Sequence, residues 1–222
     1  MRMATDSKPW MTLFSIMLSA LMLAGCNDGG GGGDSTEDAE ESADRSAPSA
    51  VDIVAYGDSL TTGSELPGAA SYPSRVASIT GRKVSNRGVG GISSCAANNG
   101  VDTIASMKPK AVMILLGTND VLSGRDPAQS KECLRSIIRA VKRSGAAALI
   151  GTIPPMIGPK AELDPAVDEL NGHIRAVAAE EGARLVNVAG EFGDGSGLLL
   201  EDGFHPNDTG TQAIAFAFAE AL

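Results

Sequence analysis

The 222-residue sequence has little of several residue types whose abundance would point to a particular class of protein. Its 3 cysteines are too few for a disulfide scaffold, and no two of them have the spacing of a zinc site. Its 18 basic residues are outnumbered by 27 acidic ones, and a formal net charge of −9 argues against a nucleic-acid partner. The length fits one domain, or one domain with tails.

The apolar run near the N-terminus is too short to span a membrane. It extends from Met11 to Leu23, which is thirteen residues. A helix of that length rises about 20 Å, whereas the hydrocarbon core of a bilayer is about 30 Å thick. Arg2 and Lys8 precede the run and small residues follow it, which is typical of a secretory signal. We therefore expect residues 1–25 to be a signal peptide.

The segment Leu23-Ala24-Gly25-Cys26 resembles the lipobox of bacterial lipoproteins. The resemblance implies that the signal is removed before Cys26, which then carries a diacylglyceryl group. Several acyl chains on one residue would anchor the protein stably to a membrane. The expected location is the bacterial cell envelope, facing the periplasm or the cell surface. The alternative is an ordinary signal peptide with a chance cysteine.

Residues 26–50 have the composition of a spacer. They contain five consecutive glycines, Gly29 to Gly33, and an acidic stretch from Asp34 to Asp44. From Asn27 to Ala50 the net charge is −6, from seven acidic side chains and one arginine. A glycine-rich, like-charged segment with little to bury is expected to be disordered and self-repelling. We interpret it as a tether for a domain at 51–222, with an acidic interaction tail as the alternative.

Two cysteines remain in the domain, Cys95 and Cys133. An exported protein folds in an oxidising compartment, where an even pair of cysteines favours a disulfide. Two separately buried thiols are the alternative.

Nearly continuous apolar runs predict buried strands. The clearest are Val51–Tyr56, Ala111–Leu116 and Ala146–Ile153, and weaker candidates are Lys83–Asn86 and Arg184–Asn187. Runs without alternation suit strands that are buried on both faces, as in a parallel sheet.

Helical periodicity appears between these runs. Pro127 to Arg143 has an apolar stripe, with Asp126 as its predicted N-cap. A second helix opens at Asp164-Pro165, and a third covers Asp208 to Leu222. Alternating strands and helices predict an α/β sandwich with a parallel sheet. In such folds the ligand lies beyond the carboxyl ends of the strands.

Four segments with polar or glycine-rich sequences lie at positions where a ligand is expected. They read GDSLTTG at 57–63, NRGVGG at 86–91, GTND at 117–120 and DGFHPN at 202–207. Together they supply a hydroxyl, backbone donors, an amide, and an acid with an imidazole. These are the groups that an acyl-transfer site needs.

The four segments also resemble the SGNH (GDSL) hydrolase family, in the order that is typical of that family. The resemblance implies a single domain over 51–222 with a flavodoxin-like, three-layer α/β sandwich. Its five-stranded parallel sheet would have the order 2-1-3-4-5. It also implies hydrolysis of esters or thioesters without a metal or other cofactor.

The resemblance assigns the triad to Ser59, His205 and Asp202. A serine hydroxyl needs a base within hydrogen-bond reach, and the chain has only 2 histidines. The other, His173, lies within a predicted helix, where packing or surface roles are common. Asp202 would accept from the second ring nitrogen of His205 and stabilise the imidazolium.

The oxyanion hole is assigned to the Asn119 side-chain amide and to the backbone N–H groups of Gly91 and Ser59. Gly88 and Gly90 could fill the glycine role, but we interpret them as turn residues.

Two other kinds of site are less consistent with the sequence. Gly88-x-Gly90 begins like a dinucleotide-binding motif, but Ser93 occupies the position of the third glycine. A metal site at Asp58, Asp120 and Asp202 would have His205 as its only imidazole ligand, without the two-histidine spacing of a zinc helix. We instead interpret Asp58 and Asp120 as residues that organise their turns.

The expected function is an envelope-anchored serine carboxylesterase for small acyl or aryl esters, including lysophospholipids and thioesters. The alternative is an esterase that removes O-acetyl groups from a polysaccharide or peptidoglycan. A non-catalytic surface binding module is a distant third, because every catalytic position is intact. Four apolar residues of two loops are expected to border the cleft: Val121, Leu122, Met156 and Ile157.

Overall fold

The computed structural model describes residues 51–222. The predicted signal peptide, the tether at 26–50 and the predicted lipidation site Cys26 therefore lie outside the described residues. Within 51–222, no helix has the length and apolar character needed to cross a membrane.

A parallel sheet of five strands forms the centre of the domain. Its strand order is β2-β1-β3-β4-β5, which confirms the predicted order 2-1-3-4-5. The strands are β1 (Ile53–Gly57), β2 (Val84–Asn86), β3 (Ala111–Leu115), β4 (Ala147–Gly151) and β5 (Arg184–Val186). Every residue of β1 and β3 is buried, because helices cover both faces of the sheet.

The strands are shorter than the apolar runs that predicted them. Val51 precedes β1, which begins at Ile53 opposite Val84 and Ala111. Ile153 follows the end of β4 and is fully buried without being part of the strand. An apolar run indicates which residues are buried. Buried residues continue past the last hydrogen bond between the strands, so the run is longer than the strand.

The helices form the two outer layers. They are α1 (Ser59–Thr62), α2 (Tyr72–Thr80), α3 (Ser94–Asn98), α4 (Val101–Ser106), α5 (Thr118–Leu122), α6 (Pro127–Arg143), α7 (Asp164–Glu181), α8 (Val188–Phe192) and α9 (Asp208–Glu220). A 3₁₀ helix at Gly158–Leu163 precedes α7. Helix α6 packs against α3, α4, α5 and α7, and α5 also packs against α7. Helix α9 packs against α2 and α8.

The long helices follow their predictions closely. Helix α6 has the predicted bounds, and the Asp126 side chain accepts from the Ala128 N–H at 2.9 Å, as an N-cap does. Its stripe of Leu134, Ile137, Ile138 and Val141 is buried against the sheet layer. Helix α9 ends at Glu220, two residues before the predicted end.

A disulfide bond joins Cys95 of α3 to Cys133 of α6, across a sequence separation of 38 residues. Cross-linking a loop of that length stabilises a fold by about 4 kcal/mol in the chain-entropy model.

We expect the double variant Cys95→Ser/Cys133→Ser to lose about 3 kcal/mol of unfolding free energy in urea titrations. Reduced wild-type protein is the control and should match the variant. Equal stability of the oxidised wild type and the variant would contradict this role.

Candidate active site

Ser59 lies at the point where β1 passes into α1. Gly57 must be glycine here, because a Cβ would lie 2.0 Å from Thr61 Oγ1 and 2.4 Å from the Leu115 carbonyl oxygen. The Asp58 carboxylate then accepts from the Leu60 N–H at 3.0 Å and caps the short helix. This cap agrees with the predicted turn-organising role of Asp58. Ser59 is consequently held at the first position of α1, with 8% of its surface exposed.

The structure brings Ser59, His205 and Asp202 into one chain of hydrogen bonds. His205 Nε2 lies 3.0 Å from Ser59 Oγ, and its Nδ1 lies 2.7 Å from Asp202 Oδ2. Ser59 and His205 are 146 residues apart in sequence. A carboxylate, an imidazole and an alcohol in this order can move a proton from the alcohol oxygen to Nε2. His173 lies elsewhere, half-buried in α7.

Backbone hydrogen bonds hold the histidine loop in place. Asp202 Oδ1 accepts from the Phe204 N–H at 3.1 Å and from the His205 N–H at 3.0 Å. The Ile157 N–H donates to the Gly203 carbonyl at 2.9 Å, and a Cβ on Gly203 would lie 2.0 Å from the Ile157 carbonyl oxygen. Glycine is therefore needed where this loop meets the segment after β4. The imidazole is fixed from both sides, with 11% of its side chain exposed.

The Asp202 carboxyl is poised to remain ionised. Partial burial by itself would raise its pKa, but hydrogen bonds from the His205 ring and from two backbone N–H groups outweigh that effect. The net result is a pKa below the ordinary value for aspartate. An ionised carboxylate orients the imidazole and stabilises the imidazolium that forms when Nε2 takes a proton.

Asn119 and the loop that carries Gly91 meet beside this chain of hydrogen bonds. Asn119 Nδ2 donates one hydrogen to the Ile92 carbonyl at 3.1 Å, which leaves its second N–H for another acceptor. Gly91 precedes Ile92 and has a φ of +74°, in the left-handed region. The backbone N–H groups of Ser59 and Gly91 donate to no acceptor within residues 51–222. These two backbone N–H groups, and the second N–H of Asn119, are thus the donors without a protein acceptor in this part of the described residues.

The neighbouring glycines differ in what they require. A Cβ on Gly88 would approach the Thr62 nitrogen to 2.6 Å and the Asp58 carbonyl oxygen to 3.0 Å. Gly88 therefore permits close packing of its loop on α1. Gly90 has open space around a Cβ position and no positive φ. Neither observation gives these two residues a role in binding.

Two buried carboxyls, Asp58 and Asp120, lie behind the site. Asp58 is fully buried, and its Oδ2 has no hydrogen-bond partner within the described residues. Burial raises its pKa to about 7, despite hydrogen bonds that act in the opposite direction. Asp120 instead accepts hydrogen bonds from Ser94 and Ser130. Sequence analysis did not identify these two serines, because they are distant from Asp120 in sequence and belong to no motif.

The Asp58 carboxyl should make stability depend on pH. Its pKa in the folded protein lies above the ordinary value of 3.8. The folded state therefore binds this proton more tightly, and the associated stability is lost as the pH rises through about 7. In denaturant titrations, we compare the unfolding free energy of Asp58→Asn with that of wild type at each pH. We expect the difference to shift in favour of the variant by about 2–3 kcal/mol from pH 5 to pH 8. The exposed Asp102→Asn variant is the control. Parallel pH profiles for wild type and Asp58→Asn would contradict this expectation.

The walls of the site differ from the prediction in one respect. Met156 and Val121 are only 2% and 6% exposed and belong to the hydrophobic core, so they cannot border an open cleft. A cavity of about 10 Å³ instead adjoins the reactive serine and histidine. Its other lining residues are Leu60, Gly63, Glu65, Leu66, Pro206 and Thr211. An apolar side chain that follows a strand can point into the core or border the cleft, and its position in the sequence does not distinguish these two placements.

Residues 51–222 contain no cluster of three or more histidine, cysteine, aspartate or glutamate side chains arranged to hold a metal ion.

Comparisons with known proteins indicate the family of this chain. The model of the GDSL-like lipase/acylhydrolase family matches residues 55–213. Esterase TesA of Pseudomonas aeruginosa is 36% identical over 106 residues, which is 46% of this chain and 50% of TesA. The chain therefore matches about half the length of this curated relative.

Solved structures share the fold. A member of the lipolytic G-D-S-L family from Veillonella parvula superposes with a TM-score of 0.68 and 23% identity. The match covers 77% of this chain and 97% of that one. Axe2, an acetylxylan esterase from Geobacillus stearothermophilus, gives a TM-score of 0.65 and 19% identity, over 76% and 92% of the two chains. At these identities the likeness is one of fold.

Proposed function

Because the chain belongs to the GDSL-like lipase/acylhydrolase family, we propose that it is a serine hydrolase of carboxylic esters that works through Ser59, His205 and Asp202. The observation that carries the proposal is the continuous hydrogen-bond chain from Ser59 Oγ through the imidazole to the Asp202 carboxylate. A serine without such a base would be a poor nucleophile at neutral pH.

The first half of the reaction forms an acyl-enzyme. Ser59 Oγ attacks the ester carbonyl carbon while His205 Nε2 takes the hydroxyl proton. The carbonyl oxygen becomes an oxyanion and accepts from the Asn119 amide and the N–H groups of Gly91 and Ser59. The C–O bond to the leaving alcohol then breaks, and the imidazolium gives its proton to the alcohol oxygen.

The second half releases the acid. His205 Nε2 takes a proton from a water molecule, whose oxygen attacks the acyl carbon. A second oxyanion forms in the same place, and it collapses with cleavage of the bond to Ser59 Oγ. The imidazolium returns the proton to the serine, so that the enzyme is regenerated and a carboxylic acid leaves.

The substrate class that we propose is an ester with a short acyl group. The cavity beside Ser59 has a volume of about 10 Å³, close to the space that one water molecule needs. A cavity of this size holds no long acyl chain, so small aryl and alkyl esters are the first candidates. Lysophospholipids and thioesters are further candidates, whose acyl chains would lie outside this cavity. The same small cavity favours a second candidate function, the removal of O-acetyl groups from a polysaccharide or peptidoglycan.

A panel of aryl esters from acetyl to dodecanoyl tests this proposal, with a chelator present and Ser59→Ala as the background. We expect kcat/KM to be highest for the shortest acyl groups. A maximum at dodecanoyl would exclude the short-acyl substrate class. Rates no higher than those of Ser59→Ala across the whole panel would exclude ester hydrolysis. Acetylated xylan and acetylated peptidoglycan, assayed for released acetate, then distinguish the two candidate functions.

Lipid anchoring at Cys26 is a separate proposal, supported by the lipobox-like segment that precedes it. We expect the full chain, produced in a bacterial host, to partition with membranes and the Cys26→Ser variant to appear in the soluble fraction. Asn27→Ser, at the neighbouring position, is the matched control and should partition like wild type. Membrane partitioning of Cys26→Ser at the wild-type level would contradict lipidation.

A further inference from the structure

Asp120 is a buried carboxylate next to the site that the proposed reaction does not use. It belongs to α5, directly after Asn119, and only 1% of its surface is exposed. An ionised side chain in such a place must be satisfied by donors, because an unpaired buried charge is costly. Its donors therefore indicate which parts of the chain it holds together.

The donors come from two helices that are distant in sequence. From α3, the Ser94 N–H lies 2.8 Å from Oδ2 and the Ser94 hydroxyl lies 2.7 Å from Oδ1. From α6, the Ser130 hydroxyl lies 2.9 Å from Oδ1. Arg125 Nε is 3.1 Å from Oδ1, but it makes no hydrogen bond within residues 51–222, so this contact is an ion pair only. Hydrogen bonds to a charged acceptor are stronger than neutral ones.

The bonds from Ser94 fix the loop that carries one oxyanion donor. Ser94 begins α3, three residues after Gly91. The other donor, Asn119, is the residue before Asp120, and its amide donates to Ile92 in the same loop. The two loops are thus fastened to each other at two places, by the Ser94–Asp120 bonds and by the Asn119–Ile92 bond. The bond from Ser130 has a different effect, because α6 carries no group of the reaction.

We propose that Asp120 is a positioning residue, which aligns the donors of Asn119 and Gly91 through its two hydrogen bonds with Ser94. The inference rests on the proposed function, because it concerns the same oxyanion. Donors placed about an ångström away from the developing charge lose much of their effect on the rate. Asp120 therefore acts on the transition state without touching the substrate.

A carboxylate is the side chain that suits this task. Its two oxygens accept both hydrogen bonds from Ser94 and a third from Ser130. In Asp120→Asn, one of the two oxygens becomes an NH₂ group. This group cannot accept from the Ser94 N–H, and in the other place it must donate to the hydroxyls of Ser94 and Ser130, which then have to turn and accept. The variant keeps the size of the side chain but removes its charge, so it also changes the bond with Ser130 and the ion pair with Arg125.

The test compares Asp120→Asn, Ser94→Ala and Ser130→Ala with wild type in an aryl acetate assay. Rates are normalised to active sites titrated with a fluorophosphonate, so that a loss of folded protein does not change kcat. We expect kcat to fall by about 10–100-fold in Asp120→Asn and by a smaller factor in Ser94→Ala, with KM within about threefold. In Ser130→Ala we expect kcat within about twofold of wild type.

A second measurement reports on the oxyanion donors themselves. An arylboronic acid forms a tetrahedral adduct with the serine, and one of its oxygens occupies the oxyanion position. The inhibition constant of this boronic acid should rise in Asp120→Asn by about the factor by which kcat falls, as expected for a transition-state mimic. If Asp120→Asn yields no folded protein, Ser94→Ala carries both measurements.

The outcomes separate this inference from the proposed function. Wild-type kcat and boronate affinity in Asp120→Asn, or equal losses in Ser94→Ala and Ser130→Ala, would overturn the positioning role while Ser59→Ala remains inactive. An active Ser59→Ala variant would instead overturn the proposed function, and this inference with it.

Discussion

Replacement of Ser59 by alanine should lower kcat by a factor of about 10⁵ or more. The variant lacks the oxygen that attacks the ester, while the donors of the oxyanion hole remain and can support only slow hydrolysis by water. Within residues 51–222 the hydroxyl of Ser59 has one side-chain partner, His205, so the thermal transition should move little. Burst kinetics with an aryl ester would measure both the acyl-enzyme and its turnover.

Ser64→Ala is the matched control for this variant. Ser64 lies just after α1 and is exposed, and among the described residues it forms hydrogen bonds only with Thr62 and Glu65. We expect its kcat to stay within about twofold of wild type, as for surface substitutions in general. More than about one per cent of wild-type turnover in Ser59→Ala would assign the nucleophile to another group.

The two histidines of the chain allow a second comparison with a large expected difference. His205→Gln removes the base that touches Ser59 Oγ, and we expect kcat to fall by about 10⁴–10⁶-fold. His173→Gln makes the same chemical change in α7, away from the reacting atoms, and should leave kcat within about twofold. Steady-state assays on both variants decide the matter. Comparable losses in the two would exclude His205 as the specific base.

How much of the fold could be predicted depends on how local the signals are. Helix α6 was predicted to the residue, because Asp126, Pro127 and the apolar stripe all lie within or beside the helix. The strand order was available only through the resemblance to a family, since no local pattern determines which strands pair. Strand ends were less accurate, because apolar sequence continues past the last ladder bond, as at Ile153.

In the candidate site, too, some features could be predicted from the sequence and others could not. Ser59 directly follows β1, and parallel strands bring such segments to one edge of the sheet. Asp202 and His205 do not directly follow a strand, because α8 and a loop separate them from β5, and they were assigned through the resemblance to the family. The partners of Asp120 were not predictable, because Ser94 is 26 residues before it and Ser130 is 10 residues after it, outside any motif. Met156 and Val121 were assigned to the cleft because they are apolar, but both side chains are buried in the hydrophobic core.

The sequence separation of 146 between Ser59 and His205 also determines when reactivity can arise. A ribosome-bound chain that ends before residue 202 holds an alcohol with neither imidazole nor carboxylate beside it. Docking of the loop that carries Asp202 and His205 must therefore precede contact between the serine and its proposed base. On the proposed mechanism, a nascent chain cannot hydrolyse cellular esters until this loop has been synthesised and has docked.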